Sequence, residues 1–463
     1  MNIQNKKIGI WGFGRVGKSV ANFLQIHSNN TIEVMNDTEL SPDDKKWLDT
    51  HAIVLRSQLD PEDQKTFFTH NDYIIPSPGI DIRPYYHTYK HKWLAEVDLF
   101  YTHFHKPIIA ITGSVGKTTV THILEQLLNA YKYKARACGN IGTPMLDIVS
   151  EQNQLDYAVI EVSSFQLEYA KLFAPNIGII TNISANHLDR HSMLEYIAAK
   201  RNIMARQDKN KKALVPLELV EKLRIQNQPL HVFYSEPLSI EKQKLLEKND
   251  VVFFIQENLL IKKTIDSEVK IIDMAMLPNI TFAQNWLIIC SILDMIGCKL
   301  EDIAQHIDTI RLPEHRMEKV TCTIQDITFI NDSKSTTIQS TLAAVHALKD
   351  KSIILFIGGL SKGVNRSDLI KQLPSNIKEV YCFGHEHKQL SDACITYGVS
   401  SHAFATLSDA FAVCAQQINP GDYVLLSPAG SSYDEFKNYE ERGRHFKKLV
   451  KELNDVHTKQ NKP

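Results

Sequence analysis

Ten residues, Ala110-Ile-Thr-Gly-Ser-Val-Gly-Lys-Thr-Thr119, constrain this chain more than any other stretch. An apolar run from Pro107 to Ile111 leads into a short glycine loop. Beyond the loop, Val120, Ile123, Leu124, Leu127, Leu128 and Tyr131 recur at the spacing of one helical face. Strand, glycine loop and helix together make an anion site, because backbone N–H groups and the helix N-terminus point at the ligand. Lys117 is placed to reach the β- and γ-phosphates of a nucleoside triphosphate, and the Thr118 hydroxyl to sit on Mg²⁺. The general pattern asks for a glycine where Ile111 stands, and Gly113 supplies the early turn instead. A surface turn containing Gly-Lys-Thr-Thr by chance is the competing reading. The flanking strand and helix weigh against it. Triphosphate binding by itself names no reaction.

A chain of 463 residues exceeds one compact core, so two to four domains are expected. The net charge of −1 argues against a general nucleic-acid or membrane-surface role. Seven cysteines lie dispersed with no Cys-x-x-Cys pair, the usage of reduced buried thiols in a cytoplasm. The N-terminus leads directly into a strand without a signal-peptide profile, and no uncharged apolar run is long enough to span a membrane.

Lys7 to Gly17 reads as a strand followed by Gly12-x-Gly14-x-x-Gly17 and a helix over Lys18–Ile26. A second strand, Thr31–Met35, ends at Asn36-Asp37, where a dinucleotide fold places an acid on a ribose. An NAD site, any nucleotide diphosphate site, and glycines kept only for packing all fit this pattern. Asp72–Ile75 is a further strand, running into the rigid turn Pro76-Ser-Pro-Gly-Ile80. Tyr85 to Lys106, polar and aromatic, reads as passage into a second domain that begins near Glu96.

In that second domain, Gly139-Asn-Ile-Gly-Thr-Pro144 is a glycine turn before a helix. Buried strands then end at Glu161 and in the polar run Asn182-Ile-Ser-Ala-Asn-His187. Near-continuous apolar strands alternating with helices imply a parallel sheet covered on both faces, with ligands at the carboxyl ends of its strands. Thr118, Glu161 and His187 all fall at such ends, and oxygen and imidazole ligands suit a phosphate-bridging Mg²⁺. Ser192-Met-Leu-Glu195 is a capping box that starts a helix to about Arg206, which carries Lys200. Lys211 to Asp273 reads as strands and charged turns, and Asn279–Ile296 as an amphipathic helix containing Asn285 and stopped by Gly297.

A break near Arg311-Leu-Pro-Glu-His-Arg316 opens a third domain. Its strands Ile327–Ile330, Ser352–Ile357, Glu379–Phe383 and Tyr423–Leu426 are followed by polar loops. Lys334, Lys362 and Arg316 at these ends would form an anion-binding rim.

These motifs resemble the ATP-dependent Mur ligases of peptidoglycan synthesis, from Gly12 to Phe446. The most specific pieces are Ser77-Pro-Gly-Ile80, Asn331-Asp-Ser-Lys-Ser-Thr336 and the run from Leu426 to Gly443, which is similar to family members that use D-glutamate. The resemblance implies an α/β chain of three domains: a Rossmann-like UDP-substrate domain (1–95), a central ATP-binding parallel-sheet domain (96–311) and a Rossmann-like amino-acid domain (312–463). It implies addition of D-glutamate to UDP-N-acetylmuramoyl-L-alanine through an acyl phosphate, in a cytoplasmic monomer with no nucleic-acid partner and no membrane insertion. ATP would lie on Gly113, Ser114, Val115, Gly116, Lys117, Thr118 and Thr119, with Asn285, Arg316 and Asp332 also contacting the nucleotide. Gly14, Arg15, Val16, Gly17, Asp37, Thr38, Asn140 and His187 would hold the UDP substrate. Thr336, Lys362, Ser432 and Tyr439 would line the D-glutamate site. Two Mg²⁺ ions would take Thr118, Glu161, His187 and a carbamylated Lys200, and Lys117, His187, Lys200 and Lys334 would carry the catalysis.

The chain departs from the family at three points. Val115 replaces the loop asparagine, Asn186 replaces the acid before the metal histidine, and Thr281-Phe282 replaces a His-Asn pair. These motivate a rival reading, a non-catalytic relative. The Gly-Lys-Thr-Thr run motivates another, a nucleotide-switch ATPase, although Thr112-Gly113 lacks the early loop lysine of that class.

Overall fold

The computed structural model describes residues 3–186, 190–225, 228–278, 283–307, 310–322, 324, 326–361 and 363–460, with side chains to residue 457. It is an α/β protein of two compact units. The first comprises Met1–Asn182, Leu194–Pro278 and Ala283–Ile310, and the second Ile183–Met193, Asn279–Phe282 and Arg311–Pro463.

The first unit holds two sheets. Strands β1 (Lys7–Trp11), β2 (Thr31–Asn36), β3 (Val54–Ser57) and β4 (Tyr73–Pro76) form a parallel sheet in the order β3-β2-β1-β4. The glycine turn after β1 starts the helix Arg15–His27. A Cβ at Gly17 would collide with the Gly12 carbonyl, so this glycine is required for the close approach of helix and turn.

The second sheet has nine strands. They are β5 (Ile108–Thr112), β6 (Ala135–Gly139), β7 (Tyr157–Glu161), β8 (Ile177–Ile180), β9 (Lys212–Pro216), β10 (His231–Tyr234), β11 (Val251–Gln256), β12 (Leu259–Lys263) and β13 (Glu268–Asp273). Their order is β13-β12-β11-β10-β9-β8-β5-β7-β6. All neighbours from β6 to β11 are parallel, and β5 and β8 are buried at every position, as strands covered on both faces should be. At the far edge the pattern changes. β12 runs antiparallel to both β11 and β13, and the left-handed pair Glu257 and Asn258 joins β11 to β12. The parallel sheet expected from the central strands therefore holds from β6 to β11 and not for this edge.

The second unit holds β14 (Glu318–Val320), β15 (Thr328–Asn331), β16 (Ser352–Gly358), β17 (Ile377–Phe383), β18 (Ser401–Ala403) and β19 (Asp422–Leu426), in the order β14-β15-β19-β16-β17-β18. Only β14 runs antiparallel to its neighbour. Alternation along β16 sends Ile353, Leu355 and Ile357 into one apolar core and Ile354 and Phe356 into another on the opposite face.

Three local details differ from the sequence reading. The helix expected to reach Arg206 ends at Arg201, and tight turns follow, with the Ile203 N–H on the Lys200 carbonyl at 3.2 Å. Met145–Gln154 is wound as a 3₁₀-helix. Tyr85 to Lys106 is not a bare passage but carries the helix Glu96–His103, whose Asp98 accepts from the N–H groups of Lys171, Leu172 and Phe173. Among the described residues no helix is long and apolar enough to cross a membrane.

Candidate active site

The glycine loop lies between β5 and the helix Lys117–Ala130, as its spacing predicts. Gly116 takes φ +89°, and a Cβ there would lie 2.6 Å from the Asn285 amide oxygen, so the loop packs against the helix Ala283–Ile296. Lys117 folds back over the loop and donates to the carbonyls of Gly113 (2.8 Å) and Ser114 (3.2 Å). Lys200 reaches the same loop from the helix Met193–Arg201, donating to the Gly113 carbonyl at 2.9 Å and the Thr112 hydroxyl at 3.3 Å.

Lys200 is fully buried, and burial, with the Lys117 ammonium nearby, pushes its pKa well below that of a free lysine; Glu161 opposes this. Tyr196 lies one turn earlier on the same helix. Its ring stands 4.5 Å from the Lys200 nitrogen and its hydroxyl 3.2 Å from the Ser114 hydroxyl.

Glu161 ends β7 with its carboxylate buried. One oxygen accepts from the Thr118 hydroxyl at 2.7 Å and the other from the Asn140 amide at 2.9 Å. The same two peptides are locked by the Asn140 N–H on the Glu161 carbonyl, 2.9 Å. A hydroxyl and a carboxylate this close are hard oxygen donors, the set that fits Mg²⁺. Lys117, Thr118, Asn140, Glu161, Lys200 and Asn285 are thus assembled at the carboxyl end of one sheet. His187 lies outside the described residues, as do Thr281 and Phe282.

In the first sheet, Asn36 organises the turn after β1. Its side-chain oxygen accepts from the Phe13 N–H at 3.0 Å, and its side-chain nitrogen donates to the Thr38 carbonyl at 2.8 Å and hydroxyl at 3.1 Å. The Ser77 hydroxyl donates to the Gly12 carbonyl at 3.0 Å, which joins the Ser-Pro-Gly turn to the glycine turn. Arg15 donates to the Gly142 carbonyl at 3.1 Å, tying this turn to the loop that carries Asn140.

In the second unit, the loops after β15 and β19 are laced together. Ser427 donates to the buried Asp332 carboxylate at 2.8 Å, and the Ala429 N–H to the Ser335 carbonyl at 2.9 Å. Burial raises the Asp332 pKa to about 6, against hydrogen bonds from Ser335 and Ser427 and the field of Arg316. Lys334 stands over the Tyr439 ring at 3.8 Å from its centre. Ser432 is buried and its carbonyl accepts from Phe436 N–H at 2.8 Å. Thr336 shares the Asn331–Thr337 loop, and Lys362 lies outside the described residues.

Sequence reasoning missed several supporting residues. Arg442 is wholly buried and donates to the Ser333 hydroxyl (3.0 Å), the Ser333 carbonyl (2.8 Å) and the Gly430 carbonyl (3.1 Å). Arg366 donates to the carbonyls of Gly358 (2.9 Å) and Gly359 (2.8 Å) and to Glu386 (2.6 Å). Thr181 and Asn182 hold the glycine loop from β8. For these two, a polar pair at the end of an apolar strand was the available signal.

Residues 111–287 match the Mur ligase middle domain, and residues 315–430 match the Mur ligase glutamate ligase domain. A UDP-N-acetylmuramoylalanine-D-glutamate ligase of Caldicellulosiruptor bescii is 32% identical over 463 residues, 98% of this chain and 99% of that protein. This chain belongs to the Mur ligase family. Mur ligases use ATP, and this one is an ATP-dependent ligase of peptidoglycan synthesis. A Thermoanaerobacter protein of the same name is 34% identical over 84% of this chain and 86% of its own length. Among solved structures, the pseudomurein peptide ligase type C of Methanothermus fervidus shares the Mur ligase fold with a TM-score of 0.60 at 16% identity, covering 97% of this chain and all of that one.

Proposed function

We propose that this ligase joins D-glutamate to UDP-N-acetylmuramoyl-L-alanine, acting as a monomer in the cytoplasm. The observation that carries the reading is end-to-end similarity to D-glutamate ligases, combined with the assembly of Lys117, Thr118, Glu161 and Lys200 around one loop. Three domains, 1–95, 96–311 and 312–463, would divide the work. The glycine turn at Gly14–Gly17, with Asp37 and Thr38, takes the UDP moiety, and Asn140 and His187 take the muramoyl-alanyl arm. The ATP phosphates lie on Gly113–Thr119, with Asn285, Arg316 and Asp332 on the rest of the nucleotide. Lys334, Thr336, Lys362, Ser432 and Tyr439 receive D-glutamate.

The alanyl carboxylate oxygen attacks the γ-phosphorus of ATP, ADP leaves, and an acyl phosphate forms. The D-glutamate amine then attacks the acyl carbon, phosphate leaves, and an amide bond remains. Lys117 turns from the loop carbonyls to the transferring phosphoryl group and neutralises its charge. The cationic and hydroxyl groups of the last domain hold the glutamate carboxylates and aim the amine, so that catalysis is mostly positioning and charge stabilisation. Thr118 and Glu161 would hold one Mg²⁺, and His187 with Lys200 a second. Bound Mg²⁺ supplies charge neutralisation at the phosphate oxygens. The depressed pKa of Lys200 supports its carbamylation, since the neutral amine is the form that attacks carbon dioxide and becomes an anionic oxygen ligand.

The test is phosphate release from ATP with UDP-N-acetylmuramoyl-L-alanine and D-glutamate, L-glutamate, L-lysine, diaminopimelate or no amino acid. Release with D-glutamate alone is expected. Release with a different amino acid overturns the assignment of the 426–443 region. No release from folded protein that binds ATP replaces the ligase reading with a non-catalytic relative.

A further inference from the structure

The glycine loop is held by more than its own chain. Asn182, just past β8, grips two consecutive peptides of it. Its backbone carbonyl accepts from the Ser114 N–H at 3.0 Å. Its side-chain oxygen accepts from the Val115 N–H at 2.9 Å, and its side-chain nitrogen donates to the Val115 carbonyl at 3.0 Å. The adjacent Thr181 hydroxyl donates to the same carbonyl at 2.6 Å. β8 is the sheet neighbour of β5, so the clamp is anchored in the strand beside the one that launches the loop.

Two consequences follow from donor accounting. The N–H groups of Ser114 and Val115 are committed to Asn182. The groups that remain to face a phosphate are those at the start of the helix Lys117–Ala130, where the first turn has no intrahelical acceptors. Further ties on the loop come from Lys117 and Lys200, whose ammonium groups donate to the Gly113 and Ser114 carbonyls. Lys117 must leave those carbonyls to reach a phosphate. The clamp needs no such movement, and Val115 has no polar side chain to substitute for it.

We propose that Asn182 is a positioning residue for ATP, fixing the Ser114 and Val115 peptides so that the phosphate cradle keeps its shape when Lys117 swings to the nucleotide. The proposal rests on the reading of Gly113–Thr119 as the ATP loop, and its test separates the two. In Asn182→Ala, KM for ATP rises about tenfold, the effect of one or two lost hydrogen bonds, while kcat stays within about threefold. Hydrogen exchange quickens at the Val115 N–H, whose acceptor is the lost side-chain oxygen, but not at Ser114, whose acceptor is the Asn182 backbone carbonyl, nor along β5 or β8, a pattern that general loosening would not produce. An unchanged ATP KM, or a fall in kcat alone, overturns the clamp. If Asn182→Ala does not fold, Asn182→Asp decides: it keeps the acceptor for Val115, loses the donor, and must still raise the ATP KM. Lys117→Ala, measured alongside by ATP calorimetry, tests the underlying reading. ATP binding undiminished in that variant refutes the loop assignment itself, whereas loss there with a normal Asn182→Ala refutes only the clamp.

Discussion

Asp332 shows how a single side chain can be held against its own preference. Its carboxyl is fully buried, and burial lifts its pKa from 3.8 to about 6 although Ser427, Ser335 and the Met317 N–H all favour the anion. A raised pKa means that the folded state binds the proton more tightly than the unfolded chain. The associated stability is full below about pH 4 and is lost as pH rises through 6. Asp332→Asn removes the titration while keeping an acceptor for Ser427. Its melting temperature should therefore exceed that of the native protein at pH 8, by a margin on the order of 3 kcal/mol in unfolding free energy, with the gap closing below pH 4. Calorimetry across that range checks it, and parallel curves at all pH values would refute the burial argument. The native chain keeps the acid despite this cost, which is consistent with a nucleotide-contacting role.

Between elements, the same logic applies to Glu96, which opens the helix Glu96–His103 and touches the short helix Ser164–Leu167 just after β7. The Gln166 amide nitrogen donates to the Glu96 carboxylate at 3.0 Å, while the Gln166 oxygen accepts from the Ser163 N–H at 3.0 Å. Burial raises the Glu96 pKa to about 7, with Asp147 adding to the shift and Gln166 and Arg15 opposing it. Stability from this group is full below about pH 4.5 and lost as pH rises through 7. Glu96→Gln should raise the melting temperature at pH 8 and leave it unchanged at pH 4. No difference between the two pH values would show that the carboxyl is not penalised.

Such ties were not legible in the sequence. Glu96 and Gln166 are 70 positions apart, and Asn182 and Val115 are 67. Neither pairing leaves a periodic or motif signal. What could be read was local: the strand, loop and helix around Lys117, the strand ends carrying Glu161 and Asn331, and the glycine turn after β1. Each is set by neighbouring residues within a few positions. The antiparallel strands β11 to β13 were missed as a change of direction because their apolar content resembles that of the parallel strands. Arg442 was passed over because a lone arginine in a charged helix looks solvent-exposed, whereas its three donors hold the Ser333 and Gly430 peptides and burial lowers its pKa to about 9.

At the scale of the molecule, the chemistry is distributed over separate elements, and the distribution itself can be tested. The turn organised by Asn36 and Ser77 belongs to the four-stranded sheet. Lys117 belongs to the nine-stranded one, where its ammonium donates to two carbonyls of its own loop, Gly113 and Ser114. Removing the Lys117 amine should therefore leave the acceptor-binding turn intact. In Lys117→Ala, turnover should fall about a thousandfold, the scale of losing one charge-stabilising donor. Binding of UDP-N-acetylmuramoyl-L-alanine, titrated by calorimetry without ATP, should stay within about threefold of the native value, less than 1 kcal/mol. The contrast between the two readouts is the content of the prediction. A parallel loss of acceptor binding would mean that the phosphate loop and the UDP turn form one cooperative site, and the separation of their roles would have to be abandoned.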